Sequence, residues 1–307
     1  MSVEIAPALP DFLAAHMPFE RASWRFESGP ESGRWLHYID HGDRDAQVVW
    51  MQHGNPTWSF LWRKVIAALD PKRFRCIAPD MLGFGLSSKL PNLEDHSLDR
   101  HAEALGALFD GLDLKNVILV GQDWGGPMVT NLGARFEDRV GALVLGNTSV
   151  LAPKRPRGTA FHRFAHTPVV SDFVFKTLGF PQNALWMAQG ERDSIKGDVA
   201  RAYMWPLRRP QERSGPLALA RMVPNSPQHP SMAGLQSGEA WVRGFEGPQA
   251  LVWGTRDPIL GRIVTRHVRA LPQASVTHCN AGHFLQEQVP HLLARAIESV
   301  ADRMGKA

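Results

Sequence analysis

A glycine-flanked aspartate is the strongest chemical signal in the sequence. Residues 116–126 read NVILVGQDWGG, an apolar run that leads into Gly121, Asp123 and Gly125. Glycines on both sides of one residue are typical of a strand-to-helix turn that is too tight for larger side chains and exposes the central one. That position often holds an alcohol, whereas Asp123 offers a carboxylate at the start of a helix, where an anion is stabilised. Asp123 is therefore the candidate nucleophile, with a simple helix N-cap as the alternative.

A second motif, HGNPT at residues 53–57, supplies candidate hydrogen-bond donors. Backbone N–H groups after such a turn can form an oxyanion hole together with the N–H of Trp124. The side chains of Asn55 and Trp124 add an amide and an indole N–H, and neither carries a charge. Neutral donors suit a weakly basic leaving anion such as halide. The alternatives are an Asx turn for Asn55 and core filling for Trp124.

A histidine and a second carboxylate follow in the order that such a site requires. His283 lies in the segment 281–288, AGHFLQEQ, between a predicted strand and the last helix. Asp257 lies in the loop segment GTRDP, where Pro258 biases the preceding residue away from helix. We expect Asp257 to orient the imidazole and His283 to act as the base. A turn aspartate and a packing histidine are the alternatives, and the competing acid position holds Asn147, which offers no carboxylate.

Alternating strand and helix signals predict an α/β fold. Short apolar runs, typical of buried parallel strands, occur at 48–51, 75–78, 117–120, 142–145, 250–253 and 275–278. Helical patterns occur at 59–69, 98–112, 127–135, 260–271 and 291–304. This alternation predicts a mostly parallel central sheet flanked by helices.

The segment 151–236 breaks this alternation and predicts an inserted helical cap. Prolines and arginines cluster in it, and it has no strand signal. The predicted domains are therefore a core of residues 1–150 and 237–307 and a cap of residues 151–236 over the carboxyl ends of the strands, where open α/β sheets bind ligands. Five aromatic residues are either walls of a pocket or the packing core of this region: Phe161, Phe164, Trp186, Trp205 and Phe284.

The composition and charge are those of an ordinary globular protein. The 307 residues carry a formal charge of +4 with 44% hydrophobic residues, which suits an ordinary globular protein. Positive charges gather at Lys154, Arg155, Arg157 and Arg163, but no nucleic-acid-binding motif accompanies them, so we interpret this run as a solvated surface and expect no nucleic-acid partner.

Cellular location and redox chemistry are also constrained. Cys76 and Cys279 lie in or beside apolar runs without metal-ligand spacing, which predicts buried free thiols and no bound metal. The N-terminal residues lack the pattern of a secretory signal, and no apolar segment approaches the length needed to cross a bilayer. We therefore expect a cytoplasmic protein that does not enter the membrane. The oligomeric state is left open.

Taken together, these motifs resemble the haloalkane dehalogenases of the α/β-hydrolase fold over nearly the whole chain. The resemblance rests on five segments: HGNPTWSFLWR from His53, PDMLGFGLSSK from Pro79, GQDWGGPM from Gly121, WGTRDP from Trp253 and GHFLQEQ from Gly282. It implies Asp123 as nucleophile, His283 as base, Asp257 as acid, and Asn55 with Trp124 as halide-binding residues. It also implies cofactor-free hydrolysis of a small hydrophobic haloalkane to an alcohol, a halide ion and a proton through an aspartyl ester.

Details of these motifs suggest a subgroup. Asn147 at the position where other members carry a glutamate, together with Asn55 as the second donor, resembles the members with an Asp-His-Asp triad and an Asn-Trp halide pair. Substrates within that subgroup are diverse, so the preferred haloalkane is left open. The stretch from Asp80 to Gly85 is also similar to the family, and we interpret it as a tight structural turn.

Three rival functions remain. Epoxide hydrolases use the same aspartyl ester but need acid donors for the ring oxygen, usually two cap tyrosines. The sequence has only Tyr38, outside the cap, and Tyr203. A dehalogenase-like luciferase that oxidises an imidazopyrazinone is similar to the glutamate-bearing members and fits less well. A binding protein on a hydrolase scaffold is the third, and retention of a full triad argues against it.

Overall fold

One nine-stranded sheet forms the centre of the fold in the computed structural model, which describes residues 2–304. Its strands are β1 Ser2–Ile5, β2 Arg21–Arg25, β3 Trp35–His41, β4 Gln47–Gln52, β5 Phe74–Pro79, β6 Val117–Asp123, β7 Val140–Thr148, β8 Gln249–Gly254 and β9 Ser275–Cys279. They lie in the order β1-β2-β3-β5-β4-β6-β7-β8-β9. The pairs β1-β2, β2-β3 and β3-β5 are antiparallel. All other neighbouring strands, from β5-β4 to β8-β9, are parallel.

Helices cover both faces of the sheet. They are α1 Asp11–Ala14, α2 Arg63–Ala67, α3 Leu98–Gly111, α4 Gly125–Arg135, α5 Ala160–Ala165, α6 Val170–Asp172, α7 Gly197–Met204, α8 Ser214–Arg221, α9 Ser231–Gly244, α10 Val264–Ala270, α11 Leu285–Gln288 and α12 Pro290–Met304. Short 3₁₀ turns at Ser59–Trp62 and Gly261–Ile263 precede α2 and α10. None of the helices within residues 2–304 combines the length and apolar character needed to cross a bilayer.

The predicted α/β fold with a mostly parallel sheet is confirmed, and each of the six predicted strands is present. The central strands have continuous apolar sequences because alternate side chains pack on opposite faces of the sheet. In β4, Val49 and Met51 pack on one side of the sheet while Trp50 packs on the other. Since both faces are covered by helices, most positions in such a strand are buried.

The edges of the sheet differ from the prediction in two ways. Strands β1 to β3 have no counterpart among the predicted strands, because polar residues interrupt their apolar pattern; His37 and Asp40 of β3 are buried but paired with Asp80 and Arg75. The run at 275–278, expected to be a buried strand, is exposed along its length. It forms β9 at the sheet edge, where only β8 pairs with it.

Between β7 and α9 every residue lies in a helix, a turn or a loop. Helices α5 to α8 fall in this region, and Ala165, Phe175, Leu217 and Ala220 form its own small apolar core. The predicted boundary between residues 236 and 237 lies inside α9, which runs unbroken from Ser231 to Gly244.

The interpretation of residues 80–85 as a tight turn agrees with the structure. Gly85 has φ +46°, and a Cβ at this position would collide with the carboxylate of Asp80. That carboxylate accepts backbone hydrogen bonds from Ser59 (2.6 Å) and Leu86 (2.8 Å) and pairs with His37. Asp80 thus ties the turn to β3 and to the segment that follows β4.

A buried ion pair joins α2 to α11. Arg63 donates to both carboxylate oxygens of Glu287, at 2.5 and 2.8 Å, and the hydroxyl of Tyr203 donates to the same carboxylate at 2.6 Å. Burial disfavours the anionic form of Glu287, but the guanidinium of Arg63 outweighs it and lowers the pKa of this carboxyl. The network connects the region between β7 and α9 with the segment that carries His283.

We predict that Glu287→Gln lowers the free energy of unfolding by about 3 kcal/mol, because it leaves the buried Arg63 charge without its counter-ion. Urea denaturation at neutral pH measures this. The matched control is Asp113→Asn, which removes one partner of an exposed pair with Lys115 and should cost less than about 0.5 kcal/mol. Equal losses in the two variants would contradict the prediction.

Candidate active site

Asp123 sits on a tight turn between β6 and α4. Its backbone has φ +53°, a left-handed conformation that is rare for a residue with a side chain. The flanking glycines make the turn possible: a Cβ on Gly121 would lie 2.7 Å from the carbonyl oxygen of Gly125, and one on Gly125 would collide with the carbonyl of Gln52. The turn directs the Asp123 side chain into a cavity, where it is mostly buried.

The turn after β4 holds one oxygen of that carboxylate. The backbone N–H of Asn55 donates to Asp123 Oδ1 at 2.7 Å, and a Cβ at Gly54 would collide with the same oxygen. His53 fixes the turn from behind, since the Met81 N–H donates to His53 Nε2 at 3.0 Å and His53 Nδ1 donates to Gly54 O at 2.9 Å. The structure therefore places a backbone donor on Asp123 before any substrate binds.

His283 lies between two carboxylates. Its Nε2 is 3.5 Å from Asp123 Oδ2, and its Nδ1 is 2.8 Å from Asp257 Oδ2. Burial disfavours the imidazolium form of His283, but Asp257 and Asp123 outweigh it and raise its pKa to about 10. The two carboxylates therefore favour the imidazolium form of His283 in the resting site.

Asn147 holds the acid in place, a role that the sequence analysis missed. Its Nδ2 donates to Asp257 Oδ2 at 2.6 Å, and the Ile259 N–H donates to Asp257 Oδ1 at 2.7 Å. Burial disfavours the charged form of Asp257, but the charge of His283 and these hydrogen bonds lower the pKa of the carboxyl. The amide at the competing acid position was the only sequence signal for this role.

Gln122 is a second residue that the motif analysis did not single out. Its Nε2 donates to the carbonyl oxygen of His283 at 3.1 Å and lies 3.2 Å from His283 Nε2. An amide N–H in this position can donate to the ring nitrogen only when that nitrogen is unprotonated. Gln122 therefore opposes the effect of the two carboxylates and stabilises the imidazole once it becomes neutral.

The two predicted halide-binding side chains both line the cavity beside Asp123. Asn55 Nδ2 donates one hydrogen to the carbonyl oxygen of Pro216 in α8, at 3.0 Å, which leaves its second amide hydrogen for a ligand. The Trp124 indole N–H has no hydrogen-bond partner among residues 2–304. Both donors are uncharged.

The cavity has a volume of about 430 Å³ and mostly apolar walls. Of the five aromatic residues considered as walls, Phe161 and Phe284 line it. Phe164 instead packs near Phe175 in the small core between β7 and α9, and the ring of Trp186 is partly exposed. A volume of this size fits a small organic molecule.

Tyrosine does not contribute to this cavity. The Tyr203 hydroxyl is buried and donates to Glu287, and Tyr38 lies in the core of the sheet. Neither tyrosine lines the cavity.

A second cavity of about 290 Å³ adjoins the first. Five residues line both: Asp123, Trp124, Thr159, His162 and Ile259. The basic run is exposed, as a solvated surface requires, at all four of its charged residues: Lys154, Arg155, Arg157 and Arg163. However, Arg155 and Arg157 also line this second cavity.

Both cysteines are free; Cys76 is buried as expected, and Cys279 is only partly buried.

Comparison with known proteins places the fold and the family. A model described as alpha/beta hydrolase fold matches residues 47–290. The haloalkane dehalogenase of Mycolicibacterium paratuberculosis is 32% identical over 272 residues, which cover 86% of each chain. The cis-3-alkyl-4-alkyloxetan-2-one decarboxylase of Xanthomonas campestris pv. campestris is 30% identical over 280 residues, or 87% of this chain and 92% of that one.

A solved structure adds support for the fold alone. The tetrameric haloalkane dehalogenase DpaA of Paraglaciecola agarilytica NO2 aligns with a TM-score of 0.82 at 24% identity, covering 97% of this chain and 99% of that one. The sequence relatives extend over most of the chain, and the family model includes the segments that carry Asp123, Asp257 and His283. The resemblance noted in the sequence is confirmed: the chain belongs to the haloalkane dehalogenases of the α/β-hydrolase fold.

Proposed function

We propose that the protein hydrolyses carbon–halogen bonds of small hydrophobic haloalkanes through an ester on Asp123. The observation that carries this proposal is the carboxylate at the strained turn, with an imidazole 3.5 Å from its free oxygen and two neutral side-chain donors beside it. An aspartate at this position forms an ester by displacement at carbon and needs no prior deprotonation at neutral pH.

The first step forms the ester. Asp123 Oδ2, the oxygen that the Asn55 N–H does not hold, attacks the substrate carbon opposite the halogen. A carbon–oxygen bond forms as the carbon–halogen bond breaks, and the halogen leaves with the bonding electron pair. The free N–H groups of Asn55 and Trp124 bind the departing halide in a cavity with apolar walls, where each donor is worth on the order of 3 kcal/mol of transition-state stabilisation.

The second step hydrolyses the ester with His283 as the base. Esterification removes the negative charge of Asp123, so one of the two groups that favour imidazolium disappears and His283 loses its proton more easily. That proton is released to solvent, and the neutral Nε2 then takes a proton from water while the water oxygen adds to the Asp123 carboxyl carbon. The Asn55 N–H, already on Oδ1, stabilises the oxyanion that forms there.

The tetrahedral intermediate collapses by breaking its bond to the alkyl oxygen, which leaves as the alcohol with the proton from His283; the acid proton left on Asp123 returns to His283 and restores the resting pair. The products are an alcohol, a halide ion and a proton.

Several further features belong to the same proposal. Residues 151–236 act as a cap that contributes Phe161, His162 and the Pro216 carbonyl to the site.

The partners of the protein are the halogenated substrate and the halide ion, and the protein acts in the cytoplasm. Expression with a fluorescent C-terminal tag and cell fractionation test the location; recovery in the membrane or periplasmic fraction would contradict it.

Rival reactions are separated by their products. Opening an epoxide requires an acid donor to the ring oxygen, and the engagement of Tyr203 by Glu287 argues against it. The chain is 30% identical in sequence to an oxetan-2-one decarboxylase. A second activity to assay is therefore the loss of carbon dioxide from a cis-3,4-dialkyl oxetan-2-one. Incubation with 1-bromobutane, styrene oxide and that lactone, followed by bromide, diol and alkene measurement, distinguishes the three, and no product at all would favour a binding protein.

We predict that Asp123→Ala lowers bromide release from 1-bromobutane by on the order of 10⁴-fold, because the nucleophile is lost. His283→Gln should instead release one bromide per site and then stop. Mass spectrometry of that variant should show one added butyl group on the peptide containing residue 123. Steady turnover by wild type without any such adduct in His283→Gln would contradict the ester mechanism.

We predict that Asn147→Ala slows ester hydrolysis about tenfold, because Asp257 loses a hydrogen bond to its charged form. Ester formation should change little. Rapid-quench measurement of bromide and alcohol separates the steps. The control is Asn131→Ala, which removes a buried amide that bonds Pro127 O and Gly234 O outside the site. If both variants slow both steps equally, Asn147 is only structural.

We predict that only one of the two steps depends on pH. Ester hydrolysis needs a neutral His283, so its rate should rise with pH until that proton is lost. The midpoint should lie below about 10, the pKa of His283 in the resting site, because the ester no longer carries the Asp123 charge. Ester formation should stay constant over the same range. Single-turnover rates from pH 6 to 10 measure both, and a pH-independent hydrolysis step would contradict the assignment of His283 as base.

A further inference from the structure

The second cavity has a charge pattern that hydrolysis of a neutral haloalkane does not require. Three arginines line it: Arg155, Arg157 and Arg266. Among residues 2–304 none of the three lies within salt-bridge distance of a carboxylate, and Arg266 donates only to the backbone oxygen of Ala152. Of the acidic residues within the described range, Asp123 alone lines either cavity.

The two cavities differ in character. Most of the side chains that line the first cavity are apolar, and no arginine or lysine of residues 2–304 lines it. The second combines apolar walls, among them Leu151, Val223 and Leu235, with the three guanidinium groups. Because Asp123 and Trp124 line both cavities, a substrate carbon bound at Asp123 can carry a chain that extends into either one.

The residues at the junction do not supply the positive charge. The Thr159 N–H donates to His162 Nδ1 at 3.2 Å, and the Thr159 hydroxyl lies 2.9 Å from the same nitrogen. Burial lowers the pKa of His162 to about 4, although the nearby Asp123 opposes this shift. His162 is therefore neutral, and the positive field at this end of the site comes from the three arginines.

We propose that the Arg155, Arg157 and Arg266 end of the site binds the carboxylate of a substrate whose halogen is at the other end of an aliphatic chain. This inference rests on the proposed dehalogenation and names a substrate class for it: ω-halogenated carboxylates. Guanidinium groups form paired hydrogen bonds with carboxylates, and the apolar walls accept the methylene chain. Two of these arginines belong to the basic run that the sequence analysis treats as simple surface.

The test compares 6-bromohexanoate with its uncharged methyl ester, which presents the same reacting carbon. In wild type, kcat/KM should be roughly tenfold higher for the carboxylate than for the methyl ester. The ratio of the two kcat/KM values should fall toward one in the double variant Arg155→Gln with Arg157→Gln and in the single variant Arg266→Gln. The preference should also weaken as salt rises, because the arginines are partly exposed. Arg269→Gln removes the same charge from an exposed position that lines neither cavity, and it should leave the ratio unchanged.

Binding of hexanoate to the wild type, measured by calorimetry, tests the site without turnover. We expect hexanoate to bind more tightly than hexan-1-ol and to lose this advantage in the arginine variants but not in Arg269→Gln. Turnover of the methyl ester with no preference for the carboxylate would overturn the inference and leave dehalogenation standing. Arginine-dependent hexanoate binding without bromide release from any substrate would support the anion site and refute the proposed function. An equal loss for carboxylate and ester in the arginine variants would also overturn the inference.

Discussion

The placement of one buried imidazole between two carboxylates determines the chemistry of this site. His283, Asn147 and the Ile259 N–H favour the charged form of Asp257, whereas the charge of Asp123 would be lost in the proposed ester. The imidazole between them responds to that change: two neighbouring anions hold the proton, and one anion holds it less strongly. In the proposed mechanism a single side chain thus serves as a cation beside the resting carboxylate and as a base in the following step. Gln122, whose amide favours the neutral ring, assists the second state.

This arrangement depends on backbone geometry that only small residues permit. The left-handed conformation of Asp123 is an unfavourable one for a side-chain-bearing residue, and such strain is maintained only where the surroundings enforce it. Here the enforcement comes from close backbone approaches at Gly121, Gly125 and Gly54, each too tight for a Cβ. Parallel pairing of β4 with β6 brings the last of these glycines next to the first two. The sheet register therefore fixes the nucleophile and its backbone donor together.

Much of this could be predicted from sequence, because the relevant signals are local. The glycines around Asp123 and the apolar strand before it lie within ten residues, and the order of nucleophile, acid and base follows from the fold. What escaped prediction depends on contacts between distant segments. Asn147 shows no local sign that it donates to Asp257, 110 positions away. Strand β3 could not be recognised from the sequence because its buried His37 is stable in the core only through its pairing with the distant Asp80. The exposure of β9 follows from its place at the edge, which its composition does not encode.

The Asn55 side chain shows how the region between β7 and α9 participates in the site without supplying a triad residue. Its Nδ2 donates to the Pro216 carbonyl in α8, and this bond sets the direction of the second amide hydrogen. The Asn55 backbone N–H meanwhile holds Asp123 Oδ1. One residue thus links the nucleophile, the proposed halide position and α8. A shift of α8 would rotate the amide away from the halide while leaving the triad distances intact, because the triad is built from loops at the ends of β6 and β8 and just before α11. If Asn55 binds halide as proposed, differences in α8 and its neighbours would change which leaving groups and substrates are accepted while the proposed triad stays the same.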